Sequence, residues 1–296
     1  MVFFAPLAHF LFFVVCGIWG TSFLCMKKAG AVFTDVEIAA VRVTLAAATL
    51  AIFWALRRTP WPFRWADTVP LLLFTLIGYV VPYMAQPYVI RRTSSGFVAT
   101  LVILVPLMTV IVSVPMLGVR PSKRQLVGVL GGLLFAIVLC ADKLHGIDNS
   151  FALIVGLIVP LVYAVTNTYI RRRWHHTSPL VLSFVATSLA AALLVPVALT
   201  NRVPKPEGEL AVAVGALILL GVFGTGVAIA IFYWLIRDRG PLYASMVTYV
   251  APWVALVLGW FDAERISARH LVALAGILMM VWLVQYDPVR QGQGRV

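Results

Sequence analysis

Charged side chains are scarce in this chain, and acidic ones are the scarcest. Only 11% of its 296 residues are charged, with 23 Lys and Arg against 11 Asp and Glu. A soluble domain carries about 25% charged residues, so this chain has too few to cover a surface that faces water. Hydrophobic residues make up 62% of the sequence. The composition therefore excludes an ordinary soluble globular protein.

Cysteines are too few and too dispersed to form a disulfide framework or a zinc site. Cys16, Cys25 and Cys140 all lie within apolar runs. The sequence also lacks an HExxH metal motif, a GxSxG nucleophile motif and a phosphate-binding P-loop. We therefore predict no cofactor, no metal and no direct coupling to ATP. An intramembrane enzyme is the remote alternative, and we predict that the protein is not an enzyme.

Long apolar runs are what the sequence has in abundance. A helix needs about 20 apolar residues to cross the hydrocarbon core of a bilayer. These runs are too long and too uniformly apolar for the alternating strands of a membrane barrel. The sequence therefore predicts an all-α integral membrane protein with ten transmembrane helices. The predicted spans are residues 9–26, 38–56, 68–90, 95–118, 125–141, 150–170, 178–199, 210–236, 241–261 and 269–286.

The net charge of +12 comes from short basic clusters between the spans. Because these clusters form neither a basic face nor a basic tail, membrane lipid is the expected partner and nucleic acid is not. With the N-terminus placed inside, the inner segments hold thirteen Lys and Arg and the outer loops hold nine. The excess of positive charge on one side predicts that both termini are cytoplasmic.

Two stretches of the chain resemble each other at a distance of 145–146 residues. Pro106 and Pro252 each stand early in a span that ends in a polar segment with Arg and Ser. Because the offset contains five spans, the second copy enters the membrane from the opposite side. The sequence predicts two inverted five-helix repeats, at 1–145 and 146–296, with the two prolines as hinges. Chance similarity between apolar helices is the alternative.

The first two spans contain Gly17-Ile18-Trp19-Gly20-Thr21-Ser22-Phe23 and Ala40-Val41-Arg42. Together with the segments around Pro106 and Pro252, these motifs resemble the EamA family of the drug/metabolite transporter superfamily. One position departs, because the family usually has Glu in the first exit motif, where this chain has Val119. Tyr163-Ala164-Val165-Thr166-Asn167 is similar to the YddG-type exporters of aromatic and other amino acids. The resemblance implies a secondary transporter of the bacterial inner membrane.

Polar and aromatic side chains inside the spans mark where a solute could bind, because burying them in lipid is costly. They recur at three- or four-residue spacing and so share helical faces. Aromatic faces with amide and hydroxyl groups suit a small amphipathic solute. Packing between helices is the alternative for each residue. The predicted substrate-binding residues are Trp19, Ser22, Tyr79, Tyr83, Gln86, Tyr163, Asn167, Ser245, Tyr249 and Trp253.

No carboxylate falls near the middle of a predicted span. Proton-coupled carriers usually place an acid or a histidine there, so passive movement down a gradient is favoured over proton coupling. Arg42, about five positions into span two, is the one charge inside a span. It could snorkel to the interface, pair with Glu37 or bind an anion.

The cargo is the least determined part of this interpretation. A multidrug exporter would need a buried anionic site, and a nucleotide-sugar carrier would need several basic groups in its cavity. The sequence therefore favours a monomeric secondary transporter that exports amino acids, including aromatic ones, by alternating access. Multidrug, nucleobase and nucleotide-sugar carriers on the same fold are the alternatives.

Overall fold

The computed structural model describes residues 4–92, 98, 101–119, 121–140, 150–200, 209–251, 253–254 and 268–285. Within these ranges all regular structure is helical, which confirms the predicted all-α fold. The helices are α1 (Phe4–Gly30), α2 (Asp35–Arg57), α3 (Trp65–Arg92), α4 (Val105–Leu117), α5 (Lys123–Cys140), α6 (Ser150–Arg173), α7 (Pro179–Thr200), α8 (Leu210–Arg239), α9 (beginning with Pro241–Ser245) and α10 (Ala268–Gln285).

Six of the described helices are long and apolar enough to cross a membrane, and two shorter apolar helices accompany them. Large apolar side chains such as Phe10, Ile111 and Trp282 are more than half exposed on the outside of the bundle. A helix bundle in lipid needs such a surface, because the surrounding lipid tails are apolar. Its backbone polar groups find their partners within the helices. The protein is therefore a multi-pass membrane protein.

The contacts between helices remain the same when each helix is replaced by its counterpart in the other half. Within the described ranges, α2 packs on α7 and α5 packs on α10, so each pair joins equivalent helices. Likewise α1 packs on α8, while α6 packs on α3. These pairings are the ones expected if two five-helix repeats are related by a two-fold axis, which stays a prediction. The predicted boundary at 145/146 lies outside the described residues.

Equivalent helices of the two halves are also irregular at equivalent places. α3 contains a π-helical segment at Leu76–Val80, and α8 contains one at Leu219–Val227. The other pair of helices is also broken, but three to four residues apart when the 146-residue offset is applied: the chain turns at 103–104 ahead of α4, and α9 is interrupted by a turn at Met246 before it continues over 247–251. π-Segments and broken helices often mark functional sites in helical membrane proteins.

The predicted hinge Pro106 is the second residue of α4. Proline fits there without losing a hydrogen bond, because the first amides of a helix have no partner within it. The break in the predicted span 95–118 lies just ahead of it, at 103–104. Pro252, the other predicted hinge, lies outside the described residues.

The start of α2 is fixed by a reciprocal cap. The Thr34 hydroxyl accepts a hydrogen bond from the Glu37 amide at 3.3 Å, and the Glu37 carboxylate accepts one from the Thr34 amide at 2.8 Å. This capping box satisfies two amides that the helix leaves unpaired. It places Arg42 two turns into α2, on the side that meets α8.

Candidate functional site

A cavity of about 90 Å³ lies between the two halves of the bundle, with α1, α3, α6 and α8 as its main walls. Seven of the ten predicted substrate-binding residues line it, although their role in binding stays a prediction. They are Trp19, Ser22, Tyr79, Tyr83, Gln86, Tyr163 and Asn167.

The three residues predicted on span nine do not line this cavity. The Ser245 hydroxyl donates to the Leu242 carbonyl at 2.8 Å, and the Tyr249 hydroxyl donates to the Val129 carbonyl of α5 at 2.6 Å. Trp253 packs against the main hydrophobic cluster. Tyr249 therefore points toward α5, and the turn at Met246 separates Ser245 from its predicted helical face. α9 presents Thr248 and Ala251 to the cavity instead.

One wall of the cavity is aromatic. The Trp19 indole N–H donates to the carbonyl of Gly224 at 2.9 Å, within the π-helical segment of α8. The indole ring lies 4.7 Å from the ring of Phe232, centroid to centroid. These two contacts hold both rings at the cavity surface, where they can pack against an apolar part of a solute.

Another part of the lining, on α3 and α6, is polar. The Gln86 amide donates to the Tyr163 hydroxyl at 3.2 Å, which joins α3 to α6. Asn167 lies one turn beyond Tyr163 and also lines the cavity. Its side chain has no hydrogen-bond partner among the residues that the structure describes. An amide in this position can donate to or accept from a solute.

Arg42 adds a positive charge to the cavity lining. Its side chain is only 5% exposed, so it does not snorkel. Its Nε donates to the Thr225 hydroxyl at 2.6 Å, and the guanidinium carbon lies 3.9 Å above the Tyr83 ring. It forms no ion pair with Glu37, whose carboxylate instead belongs to the α2 cap.

One end of the cavity is closed by an aromatic cluster that comprises Phe74, Tyr79, Trp174 and Tyr233. The hydroxyls of Tyr79 and Tyr233 are 2.6 Å apart and share a hydrogen bond between the two halves. Phe74 lies edge-on to Tyr79 at 6.0 Å and to Trp174 at 5.1 Å. Tyr79 is fully buried.

Polar contacts near the helix ends hold the same end together. The Asp67 carboxylate accepts from the Arg64 amide at 3.0 Å and pairs with Arg173 at 2.9 Å. The amide bond first, and the guanidinium second, lower the pKa of Asp67 below its ordinary value. The Arg171 side chain donates to the Arg237 carbonyl of α8. These contacts tie the start of α3 and the end of α8 to α6.

Glycines in the two π-helical segments bring equivalent helices into close contact. A Cβ atom on Gly78 would lie 3.0 Å from a methyl carbon of Thr166, and one on Gly224 would lie 2.8 Å from the Ser22 hydroxyl. Gly78 and Gly224 are 146 residues apart, and Ser22 and Thr166 are 144 apart. The same kind of contact, between a glycine of a π-helical segment and a small hydroxyl residue, therefore occurs once in each pair of equivalent helices.

The same offset could have found two of the cavity residues that the sequence prediction missed. The missed residues are chiefly Phe232 and Tyr233 on α8, Thr166 on α6 and Thr248 on α9. Phe232 stands 146 residues after Gln86, and Thr166 stands 144 residues after Ser22. Transferring Gln86 and Ser22 to the other repeat would have identified Phe232 and Thr166, whereas Tyr233 and Thr248 are not the counterparts of any predicted residue.

The two-fold pattern also appears in the comparison with known families. The model of the EamA-like transporter family matches the chain twice, at residues 6–141 and 150–286. The chain belongs to the EamA-like transporter family. The first match contains α1–α5 and the second contains α6–α10, in agreement with the repeats seen in the fold.

Of three relatives of this EamA-like protein, two are named as transporters. The chain is 29% identical over 282 residues to the Escherichia coli protein named as an uncharacterized inner membrane transporter, YedA, covering 90% of this chain and 87% of YedA. It is 21% identical to an uncharacterized transporter of Archaeoglobus fulgidus, over 90% of this chain and 94% of the relative. It is 22% identical to protein PagO of Salmonella typhimurium, over 92% and 91%.

A solved structure, described only as the crystal structure of a protein, shares the fold. It superimposes with a TM-score of 0.75 over 97% of this chain and 99% of that chain, at 19% sequence identity. At this identity the likeness concerns the fold alone. The similarity to the YddG-type exporters and the choice of amino acids as cargo belong to the proposal below.

Proposed function

We propose that this EamA-like protein is a secondary transporter that exports small amphipathic metabolites, foremost amino acids including aromatic ones. The observation that carries the proposal is the cavity between the two halves, which combines an aromatic wall with a polar one. A solute with a ring and a polar head can satisfy both walls at once. The similarity of the Tyr163–Asn167 stretch to YddG-type exporters supports the same cargo.

Alternating access is the mechanism that this architecture supports best. The aromatic cluster closes the cavity at the Trp174 end, while the halves are related by a two-fold pattern of contacts. In inverted-repeat transporters, an exchange of the two halves' conformations opens one side and closes the other. We propose that the π-segments and the turns at 103–104 and Met246 absorb the bending.

We propose a monomer in the bacterial inner membrane, with both termini cytoplasmic and no enzymatic activity. The inner membrane is supported by the name of the relative YedA. A multidrug carrier of cations is the less favoured alternative, because no acidic side chain lines the cavity among the residues the structure describes.

Counterflow in proteoliposomes tests the proposal directly. Purified protein is reconstituted, loaded with unlabelled solute and offered radiolabelled amino acids, nucleosides or cationic dyes. We expect accumulation of aromatic amino acids, and a loss of flux on Tyr83→Ala or Tyr163→Ala. Tyr88→Ala is the matched control, since Tyr88 lies on α3 outside the cavity lining. Unchanged flux in both cavity variants would contradict the proposed site.

A further inference from the structure

Arg42 is a buried cation for which the described residues offer no opposite charge. Its side chain is 5% exposed, and no Asp or Glu in the described ranges forms an ion pair with it. A guanidinium that is removed from water is strongly destabilising unless a negative group compensates it. Such a residue in a membrane protein points to a function rather than to packing.

Two contacts fix the orientation of the guanidinium. The Thr225 hydroxyl donates to the Leu220 carbonyl at 3.0 Å, so the same oxygen is free to accept from Arg42 Nε at 2.6 Å. The guanidinium carbon lies over the Tyr83 ring, 3.9 Å from its centroid. A planar guanidinium held by two such contacts is preorganised, so little rotational freedom is left to lose when an anion binds.

The close approach of α2 to α8 is what places Arg42 beside Thr225. A Cβ atom on Gly221 would lie 2.6 Å from Cβ of Leu45 and 3.2 Å from the Arg42 carbonyl oxygen. No larger residue fits between the two backbones without moving them apart. The π-helical segment of α8 therefore both admits α2 and supplies the hydroxyl that holds the guanidinium.

The terminal nitrogens of Arg42 remain available. The contact recorded for Nη1 within the described ranges is to the sulfur of Met26 at 3.8 Å, and a thioether is a weak acceptor. No oxygen acceptor for Nη1 or Nη2 is found among the described residues. These donors belong to a side chain that lines the cavity. They match the two oxygens of a carboxylate, which arginine binds as a fork.

We propose that Arg42 binds the carboxylate of the transported solute, so that the cavity selects monocarboxylates that carry an aromatic or apolar group. This proposal rests on the proposed transport function. The carboxylate meets Arg42 near Tyr83, and the apolar group packs against Trp19 and Phe232. The solute thereby supplies the negative charge that the described part of the cavity lacks.

The charges in the cavity lining favour a single carboxylate. Arg42 is the one charged side chain among the described residues that line the cavity. A diphosphate, with several charges to neutralise, is poorly matched by one guanidinium. A single carboxylate is well matched.

Competition in the counterflow assay tests this assignment. The competitors are phenylalanine, 3-phenylpropionate, which keeps the carboxylate without the amine, and phenylalaninol, which lacks the carboxylate. We expect both carboxylates to compete at least about tenfold better than phenylalaninol in the wild type, as loss of a charge-assisted pair predicts. Arg42→Gln removes this preference and Arg42→Lys weakens it. Arg57→Gln, the same change on an exposed position of α2, keeps it.

A second variant and a second readout keep the assignment falsifiable. If Arg42→Gln does not fold, Thr225→Val keeps the charge but removes its anchor, and we expect a partial loss of the carboxylate preference. If the wild type moves none of the compounds, the proposed transport function fails, and thermal stabilisation of the purified protein by 3-phenylpropionate then decides the assignment. Stabilisation of the wild type by 3-phenylpropionate that is lost in Arg42→Gln or Thr225→Val supports the assignment of Arg42.

Three results would overturn the assignment while leaving transport intact. The first is a wild type that accepts phenylalaninol as well as phenylalanine. The second is an Arg42→Gln or Thr225→Val protein that keeps the full carboxylate preference. The third is a wild type that moves neutral nucleosides but no carboxylate. If nothing is moved and 3-phenylpropionate does not stabilise the wild type, the assignment falls as well.

Discussion

The hydrogen bond between Tyr79 and Tyr233 provides a sharp test of how the cavity closes. The two hydroxyls are 2.6 Å apart, buried, and contributed by α3 and α8 of opposite halves. Tyr79→Phe removes one hydroxyl and leaves the other buried without its partner. A hydrogen bond contributes about 0.5–1.5 kcal/mol net, and an orphaned hydroxyl costs about 1–3 kcal/mol.

These magnitudes translate into a change in the population of the open state. If the bond exists only when the Trp174 end is closed, a loss of about 2 kcal/mol increases opening at that end by roughly thirtyfold. Tyr79→Phe with Tyr233→Phe removes both hydroxyls and leaves no orphan, so its effect is smaller than the sum of the single effects. The difference measures the coupling energy of the pair.

Cysteine labelling reads out this opening. Asn167 lines the cavity and is replaced by Cys in a background in which Cys16, Cys25 and Cys140 are Ala. We expect a membrane-impermeant maleimide, applied from the Trp174 end, to label Tyr79→Phe at least about tenfold faster than its parent. Tyr88→Phe, on the same helix outside the cavity, is the control. Equal labelling rates, or strictly additive effects of the two Phe substitutions, would refute the reasoning.

Three further predictions address the π-segments, the closed end and the driving force. Gly224→Ala places a carbon 2.8 Å from the Ser22 hydroxyl and should destabilise the protein by about 1–3 kcal/mol in thermal unfolding. Gly215→Ala, with open space around it, should not destabilise the protein. Ser22→Ala should partly restore the stability of Gly224→Ala. Because the pKa of Asp67 is lowered in the fold, its contribution is present above the unfolded pKa of about 3.9 and is lost as the pH falls through the folded value. Asp67→Asn should therefore lower the Tm slightly at pH 7 and match the wild type near pH 2. Finally, a pH gradient alone should drive no uphill accumulation of solute, and sustained accumulation would contradict passive movement.

More of the fold than of the candidate site could be predicted from the sequence, because span length and polarity are local properties. Each predicted span overlaps a helix of the structure, since about 20 apolar residues in lipid can only be helical. The irregularities were not predictable in the same way. The π-segments at Leu76–Val80 and Leu219–Val227 arise where glycines admit a neighbouring helix, which is a tertiary effect.

The candidate site shows the same division between local and tertiary information. The stripes on spans one, three and six face the cavity, because a polar face in the bundle interior has few other places to go. Tyr249 has the same spacing, yet its hydroxyl finds a backbone acceptor at Val129 of α5. Periodicity identifies a face but not its neighbour, and so this stripe could not be told apart from the others.

Arg42 illustrates how the structure narrows alternatives that a sequence leaves open. Snorkelling, pairing with Glu37 and anion binding were all compatible with its position. Burial excludes the first, and the capping box, which engages Glu37 elsewhere, excludes the second. The partners that hold it, Thr225 and Tyr83, lie 183 and 41 residues further along the chain. Only the packed fold brings them together.

Labelling of a single cysteine in the cavity tests directly whether the cavity lies on the transport path. Ser22→Cys, a nearly isosteric change at the cavity wall, is made in the same cysteine-free background and reconstituted for counterflow. We predict that a bulky methanethiosulfonate reagent, which forms a disulfide with the cysteine, stops counterflow, that transported solute slows the labelling, and that a reductant cleaves the disulfide and restores flux. Thr21→Cys, the adjacent residue outside the cavity lining, should keep its flux after labelling. A fully labelled Ser22→Cys protein that transports at its unlabelled rate would contradict the account.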